Sequence, residues 1–221
     1  MALKAEAEGT EKTQMSSAQA DPTRRLYIKL LIGSGLFGLF ALPLGAVDAQ
    51  VSDMLIDDFS NPGLLSKLGT RWRGVSDQVM GGVSEATVGH DTIDSRPCLR
   101  LSGDVCLENN GGFIQAALDL ALLSENLDAS DYAGLRLVVR GNGERYSVHF
   151  RTPDNIRPWQ SYRAHFTVGP NWETIYLPFS AFVPYRLEAP LDITRLRRIG
   201  LVAIGRAFAA DLMVSELSFY R

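Results

Sequence analysis

Short segments in which apolar and polar residues strictly alternate recur along the chain after about residue 55, and this pattern constrains the fold most. Segments 135–140, 145–151 and 162–167 all show it. A period of two residues is that of a β-strand with one apolar and one polar face. Gly141-Asn142-Gly143 lies between the first two segments, and this composition predicts a hairpin turn.

The rest of this region is built from similar short apolar runs separated by turn-forming residues. Further strands are predicted over 55–59, 71–75, 83–88, 98–107, 112–118, 172–177, 199–204 and 212–220. Helical turns are expected only over 118–126 and 180–183. Around ten or eleven strands with so little helix predict an all-β jelly-roll β-sandwich that occupies residues 55–221 as one domain.

The charge of the chain bears on its partners. Its 22 basic and 25 acidic residues give a formal net charge of −3, so no nucleic-acid partner is expected. After position 49 there are 16 arginines, and Lys67 is the only lysine. Arginine has a planar donor group that suits carboxylates, phosphates and sugar hydroxyls. Genomic base composition produces the same excess, so the arginines alone do not define a site.

Residues 1–49 have the character of an export signal. Thr23-Arg24-Arg25-Leu26-Tyr27-Ile28-Lys29 resembles the twin-arginine pattern S/T-R-R-x-F-L-K, with Arg24 and Arg25 as the essential pair. An uncharged stretch follows over 30–47, and Val47-Asp48-Ala49 suits signal peptidase. We therefore expect an exported, periplasmic protein. The alternative is an inner-membrane anchor formed by 30–47, and membrane contact is expected only through this N-terminal segment.

Two glycine pairs are candidates for a ligand- or partner-binding site. The pairs are Gly81-Gly82 and Gly111-Gly112, and each lies in a polar run. The first run contributes the candidate residues Asp77, Met80, Gly81, Gly82 and Ser84, and the second contributes Asn109, Asn110, Gly111, Gly112 and Phe113. Glycine allows positive φ and close backbone approach, so such loops can present N–H groups to a ligand. They can equally be turns that shape the sandwich, with Asp77 and Ser84 bonding the loop between them.

The polar faces of the three alternating segments suggest a second site. If their strands share a sheet, seven side chains project from one side: Arg136, Arg140, Arg145, His149, Arg151, Arg163 and His165. Trp159, in the loop after 151, then supplies an aromatic platform. A cationic face with an aromatic edge suits a glycan or an acidic protein surface. The alternative is a solvated face that acids on neighbouring strands neutralise.

Three sequence blocks stand out as specific motifs. They are Trp72–Ser84, ending in Asp-x-Val-Met-Gly-Gly-x-Ser; 101–113, ending in Asn-Asn-Gly-Gly-Phe; and 139–146, followed by Trp172 and Leu177-Pro178-Phe179. Together they resemble the complex I intermediate-associated protein 30 family. The resemblance extends from Asp57 to near Phe219, and Asn142 stands where the family often has Asp. It implies a galactose-binding-like jelly roll and a role in assembling respiratory complex I without catalysis. Arg140 and Tyr146 of the third block are further candidate site residues.

Metal and cofactor chemistry have little support. His90, His149 and His165 lack the spacing of a metal site, and no nucleotide or hydrolase motif occurs, so no cofactor, metal or catalytic residue is predicted. Asp57-Asp58 is a scant indication of structural Ca²⁺. Cys98 and Cys106 are eight residues apart on one predicted strand, about 26 Å if it is extended, which favours two buried thiols over a disulfide.

These inferences predict a non-catalytic binding or assembly factor for a membrane or periplasmic protein complex, which by family resemblance is respiratory. The alternative is a carbohydrate-binding module that recognises an envelope glycan.

Overall fold

The computed structural model describes residues 52–123 and 125–221, so the predicted leader, with Arg24 and Arg25, lies outside the described residues. Twelve strands follow in chain order: β1 (Met54–Asp57), β2 (Arg73–Ser76), β3 (Thr87–Ile93), β4 (Arg96–Val105), β5 (Phe113–Asp119), β6 (Gly134–Arg140), β7 (Arg145–Arg151), β8 (Ser161–Thr167), β9 (Glu173–Pro178), β10 (Val183–Tyr185), β11 (Arg198–Ile204) and β12 (Phe208–Tyr220). Four 3₁₀ turns lie at Asp77–Met80, Glu108–Asn110, Phe179–Ala181 and Ile193–Arg195.

The strands form two six-stranded antiparallel sheets. The first sheet has the order β3-β4-β12-β6-β9, with β1 also paired to β12, and the second has the order β10-β8-β7-β11-β5-β2. The predicted all-β jelly-roll sandwich is thus confirmed. No helix among the described residues is long and apolar enough to cross a membrane.

The core lies between the two sheets and is built from the apolar face of each alternating strand. Leu135, Leu137 and Val139 of β6 are all fully buried, as are Val148 and Phe150 of β7. Aromatic rings fill the centre, including a pair of centroids 4.7 Å apart at Phe150 and Phe182. Burying such a face supplies the main stabilising free energy, which is why the period-two pattern finds the inner faces correctly.

The hairpin predicted at 141–143 is wrong. β6 pairs with β12 and β9 in the first sheet, whereas β7 pairs with β11 and β8 in the second. The turn therefore crosses between the sheets. It is held there by Asn142, whose Nδ2 donates to the carbonyl of Ala209 and whose Oδ1 accepts from the Tyr146 hydroxyl at 2.6 Å. Alternation requires only that the apolar face of each strand is buried in the core. Two strands that face each other from opposite sheets satisfy this as well as two strands that pair within one sheet.

The remaining local predictions have mixed outcomes. Where the sequence predicts a helical turn over 118–126, β5 continues to Asp119, and the described residues after it show one turn, in which the N–H of Glu125 donates to the carbonyl of Leu122 at 3.1 Å. A 3₁₀ turn does form at Phe179–Ala181. Cys98 and Cys106 are free; Cys98 is buried, whereas Cys106 is partly exposed. Burial, with a smaller contribution from the Asp91 charge, raises the pKa of the Cys98 thiol to about 11, so this cysteine is a packed side chain and not a nucleophile.

Candidate functional site

The two glycine-rich runs meet in space around one buried carboxylate, that of Asp77. Its Oδ1 accepts from the N–H of Ser84 at 2.9 Å, and its Oδ2 accepts from the N–H of Gly112 at 2.5 Å and of Phe113 at 3.3 Å. The Ser84 hydroxyl also donates to Oδ2, while accepting from the N–H of Cys106 at 2.9 Å. Asp77 is 0% exposed, so it ties both runs together inside the protein.

The glycines are needed because the chain passes so close to this carboxylate. A Cβ at Gly82 would lie 2.8 Å from the Cβ of Asp77 and closer still to its carboxylate, and one at Gly111 would lie 2.5 Å from Oδ2. Gly112 has φ +125°, a conformation that only glycine adopts readily. These residues therefore permit the close approach of two loops.

Electrostatics keep Asp77 ionised in this position. Its burial acts to raise the pKa, but the hydrogen bonds from Ser84, Gly112 and Phe113 outweigh that effect, and the pKa lies below its ordinary value. The N–H groups of Ser84, Gly112 and Phe113 are bonded to this carboxylate and are therefore not free for a ligand. This cluster, which we call the Asp77 latch, is structural, as the sequence left open.

Only part of the two runs remains accessible. Met80 is 52% exposed, and Gly81 ends the 3₁₀ turn with φ +89°. Asn109 adopts φ +54° and is also exposed, and Asn110 completes the second 3₁₀ turn. Met80, Gly81 and Asn109 therefore lie on the outside of the Asp77 latch.

The proposed calcium ligands are also engaged elsewhere. Asp57 is buried and accepts from Trp72 Nε1 at 2.8 Å, whereas Asp58 pairs with Lys67 at 3.0 Å. Among the described residues no group of three or more His, Cys, Asp or Glu side chains is placed to hold a metal.

The predicted cationic face is divided between the two sheets, so the expectation that its three strands share a sheet is wrong. Arg136 and Arg140 lie on β6 in the first sheet, while the remaining residues lie on β7 and β8 in the second: Arg145, His149, Arg151, Arg163 and His165. Tyr146 points into the core with 1% exposure, where its hydroxyl accepts from the N–H of Asp211, so it is unavailable to a ligand.

The arginines of the first sheet are mostly neutralised. Arg100, Arg136 and Arg140 form ion pairs with Asp211, Glu216 and Asp94, respectively. Arg96, at the end of β4, instead lies 5.8 Å from the ring centroid of Trp172. For Arg136 and Arg140, the alternative of a solvated face balanced by acids is therefore correct.

The second sheet is neutralised on one half only. Near β2 and β5, Arg73 and Arg198 both pair with Asp119. Near β7, β8 and β10 the arginines lack acidic partners: none of the ion pairs among residues 52–123 and 125–221 involves Arg145, Arg151, Arg157, Arg163 or Arg186. We call the outer side of β7, β8 and β10, with these five residues, the arginine face.

Arg163 is held in place by an aromatic ring and a hydrogen bond. Its Cζ lies 3.5 Å from the ring centroid of Tyr185, and its Nε donates to the Ser161 hydroxyl at 2.9 Å. Arg186 approaches the same ring at 5.5 Å. Burial lowers the pKa of the Arg163 guanidinium, partly offset by Tyr185, so this cation is only partly solvated.

Arg151 has a different role from the one predicted. Its guanidinium donates to the carbonyls of Asn155, Arg157 and Pro158 at 3.0–3.2 Å. These contacts shape the loop that carries Trp159, whose side chain is 48% exposed. Arg151 thus positions the aromatic platform instead of contacting a partner.

Beneath the arginine face lie polar groups that have no partner. His149 is 7% exposed and Ser147 is fully buried, and neither His149 Nε2 nor Ser147 Oγ has a hydrogen-bond partner in the described part of the chain. Both belong to the outer face, since Arg163 and His165 are their Cα partners on β8. Burial, and then the charges of Arg163 and His165, hold the pKa of His149 well below 6.5, so the ring is neutral.

Sequence reasoning missed Tyr185, Arg186 and Ser147. Tyr185 ends a three-residue strand that contains Pro184, too short to show a period. Ser147 occupies a polar position in the alternation of β7, and that position by itself predicts only a solvent-facing side chain.

Comparisons with known proteins agree with this fold. The family 11 carbohydrate-binding module from Clostridium thermocellum, in complex with a β-1,3-1,4-mixed-linked tetrasaccharide, is similar with a TM-score of 0.59 and 15% identity, over 77% of this chain and 96% of that one. The family 30 module of a cellulosomal cellulase from the same organism gives 0.53 and 18%, over 75% and 95%. At these identities the likeness establishes the fold alone.

No curated protein sequence matches the chain. The sequence model of the family described as Complex I intermediate-associated protein 30, however, matches residues 58–213, which is well over half of the chain and contains both runs that meet at the Asp77 latch. The chain therefore belongs to the complex I intermediate-associated protein 30 family.

Proposed function

We propose that this chain is a non-catalytic binding and assembly factor that docks onto a membrane or periplasmic protein complex through the arginine face. The family relation supports an assembly role, and by that relation the complex is a respiratory one. The observation that carries the proposal is the contrast between Arg163 and Arg186, which lack acidic partners, and Arg100 and Arg136, which have them.

A protein surface that leaves desolvated cations unpaired is suited to a partner that supplies the anions. Arg163 is half-buried, and a counter-charge from a partner would restore favourable interactions that burial has weakened. Next to it, Val183 is 63% exposed and offers apolar contact area. Arginines and aromatic residues around apolar area are typical of the residues that dominate binding energy in protein interfaces.

We further propose that residues 1–49 export the domain and that it acts on the periplasmic side. The support is the Arg24-Arg25 pair and the uncharged stretch over 30–47. Changing both arginines to lysine should retain the protein in the cytoplasm, as measured by cell fractionation. Export of that variant at the normal level would exclude the twin-arginine route.

A second candidate function is recognition of an envelope glycan. Its support on this chain is Trp159, an exposed ring of the kind on which sugars stack, together with the fold shared with carbohydrate-binding modules. Tyr185 does not add to that support, because Arg163 already covers its ring at 3.5 Å. A neutral glycan would also supply no counter-charge for Arg163 and Arg186, so we favour the protein partner.

The test is affinity purification of the full chain from native membranes of the source organism, followed by mass spectrometry. The wild type is compared with the double variant Arg163→Ser and Arg186→Ser. Arg140→Ser is the matched control, since it removes an arginine from the other sheet. We expect a protein complex to co-purify with the wild type and the control but not with the double variant.

Two outcomes would overturn the proposal. One is equal recovery of the complex with the double variant, provided that thermal unfolding confirms that both variants are folded. The other is a glycan array in which the wild type binds a defined oligosaccharide and loses it with Trp159→Ala, while no protein complex co-purifies.

A further inference from the structure

We propose that Arg163, with His149 beside it, forms a carboxylate-binding site that takes an Asp or Glu side chain from an acidic segment of the partner protein. This inference rests on the proposed function and names the chemistry that the partner must present. It is carried by the fixed geometry of Arg163, the unpartnered polar groups beneath it and the further arginines around it.

The first step concerns which edge of the Arg163 guanidinium is free. Its Nε donates to the Ser161 hydroxyl at 2.9 Å, and its Cζ lies 3.5 Å from the Tyr185 ring centroid. Apart from its interaction with the Tyr185 side chain, the guanidinium donates no further hydrogen bond within the described residues. Its Nη groups are therefore left for a ligand, and two N–H donors side by side can bind both oxygens of one carboxylate.

The second step concerns the surface next to Arg163. His149 is its direct cross-strand partner on the same face, which places the two Cβ atoms about 5 Å apart. His149 Nε2 is buried without a partner, and so is Ser147 Oγ two residues along β7. A buried polar atom left unsatisfied costs about 1–3 kcal/mol, so a ligand oxygen that bonds it relieves a standing penalty.

A flexible amide from the next strand covers the place beside His149. Gly200 is the Cα partner of His149 on β11 and carries no side chain. The Gln115 side chain lies over it instead, with its Cδ 2.8 Å from where a Cβ at Gly200 would be. An acceptor bound beside His149 would share this place with the Gln115 amide, whose NH₂ group can donate to it.

The third step concerns the kind of molecule that carries the carboxylate. Arg186 approaches the same Tyr185 ring as Arg163, and Arg145 lies further along β7 opposite Thr167. Neither forms an ion pair within the described residues, so the surface suits more than one negative charge. The only aromatic ring next to Arg163 on β10, Tyr185, is already covered, which disfavours a sugar ring as the neighbouring group. An acidic peptide segment supplies several carboxylates without requiring a free aromatic face.

The experiment uses the full chain and a short fluorescein-labelled peptide of alternating Glu and Ser, with binding followed by fluorescence anisotropy. The control peptide has Gln in place of every Glu. We expect binding of the Glu peptide only. Arg163→Lys, which keeps the charge but loses the paired donors, should weaken binding about tenfold, whereas Arg140→Lys on the other sheet should leave it unchanged.

A second variant tests the surface beside Arg163. His149→Leu removes the unpartnered Nε2 while the site keeps its positive charge, and we expect it to weaken binding of the Glu peptide about threefold to tenfold. Thermal unfolding of each variant confirms that it is folded.

Equal binding of the Glu and Gln peptides, or wild-type affinity in Arg163→Lys, overturns the inference. Tighter binding of an oligogalacturonate than of the Glu peptide overturns the assignment to a peptide. The result is separable from the proposed function. If the protein complex still co-purifies in an arginine-dependent way but no peptide binds, this inference fails and the proposed function stands. If the peptide binds but no complex co-purifies, the carboxylate-binding site stands and the proposed function fails.

Discussion

Removal of the Asp77 carboxylate should destabilise the whole domain, because this one side chain joins two loops that are far apart in sequence. In Asp77→Ala, three backbone donors lose their acceptor: the N–H groups of Ser84, Gly112 and Phe113. A buried donor left without a partner costs about 1–3 kcal/mol, and water entering the vacated space offsets part of the sum. We expect a loss of about 3–5 kcal/mol, a large share of the roughly 5–15 kcal/mol that stabilises a typical domain.

Urea unfolding followed by circular dichroism measures this loss. Asp77→Asn keeps one oxygen acceptor and the shape of the side chain, so it should cost less, about 1–3 kcal/mol. Asp58→Asn is the control. That partly exposed carboxylate pairs with Lys67 and accepts from the N–H of Ser60, a bond that the Asn oxygen can keep, so the change should cost less than about 1 kcal/mol. A loss below about 1 kcal/mol in Asp77→Ala would refute the latch.

The latch also predicts how the domain responds to acid. The folded pKa of Asp77 lies below its ordinary value of 3.8, so the unfolded chain takes up the proton first as the pH falls. The stabilisation is complete above about pH 4 and is lost as the pH drops through the folded pKa. Unfolding free energies measured between pH 5 and pH 2.5 should therefore fall less steeply in Asp77→Asn than in the wild type, and parallel curves would contradict this.

The other predictions concern packing, a buried histidine and a loop. Gly82→Ala should cost about 2–4 kcal/mol in urea unfolding, because its Cβ would strike the buried carboxylate, while Gly169→Ala, whose Cβ meets nothing within 4 Å, should stay within about 0.5 kcal/mol. His149 is held neutral, so the wild type should lose stability as the pH falls below 6.5, and His149→Leu should flatten that part of the profile; an unchanged slope would show that another group titrates there. Arg151→Ser removes three hydrogen bonds to the loop before Trp159, so the fluorescence emission of the variant's tryptophans should shift to longer wavelength. An unchanged emission spectrum would show that other contacts hold the loop.

Sequence alternation located the strands and their inner faces because burial of one face is a local property of each strand. Leu135, Leu137 and Val139 point inward as the pattern requires. Pairing is not local in this sense. The segment 141–143 has the composition of a hairpin turn, yet β7 finds its partners in β8 and β11, and only the packed structure decides between these arrangements.

The charge balance of the surface was beyond sequence reasoning for the same reason. Arg100 pairs with Asp211, which is 111 residues away, so no local pattern could distinguish it from Arg163. Both occupy the polar positions of alternating strands. The two arginines differ in the strand that lies next to each one and in the charges that this strand carries. The difference between the neutralised first sheet and the arginine face is therefore visible only in the assembled sheets.

The motif residues and the binding surface thus have separate tasks. The first two of the three blocks that carry the family resemblance converge on Asp77, where their polar groups bond one another and their glycines allow the loops to close. None of those groups faces the arginine face on β7, β8 and β10. These two blocks therefore close the fold, whereas the surface that we propose for the partner lies on other strands. Family membership accordingly predicts the fold of this chain more directly than it predicts the partner.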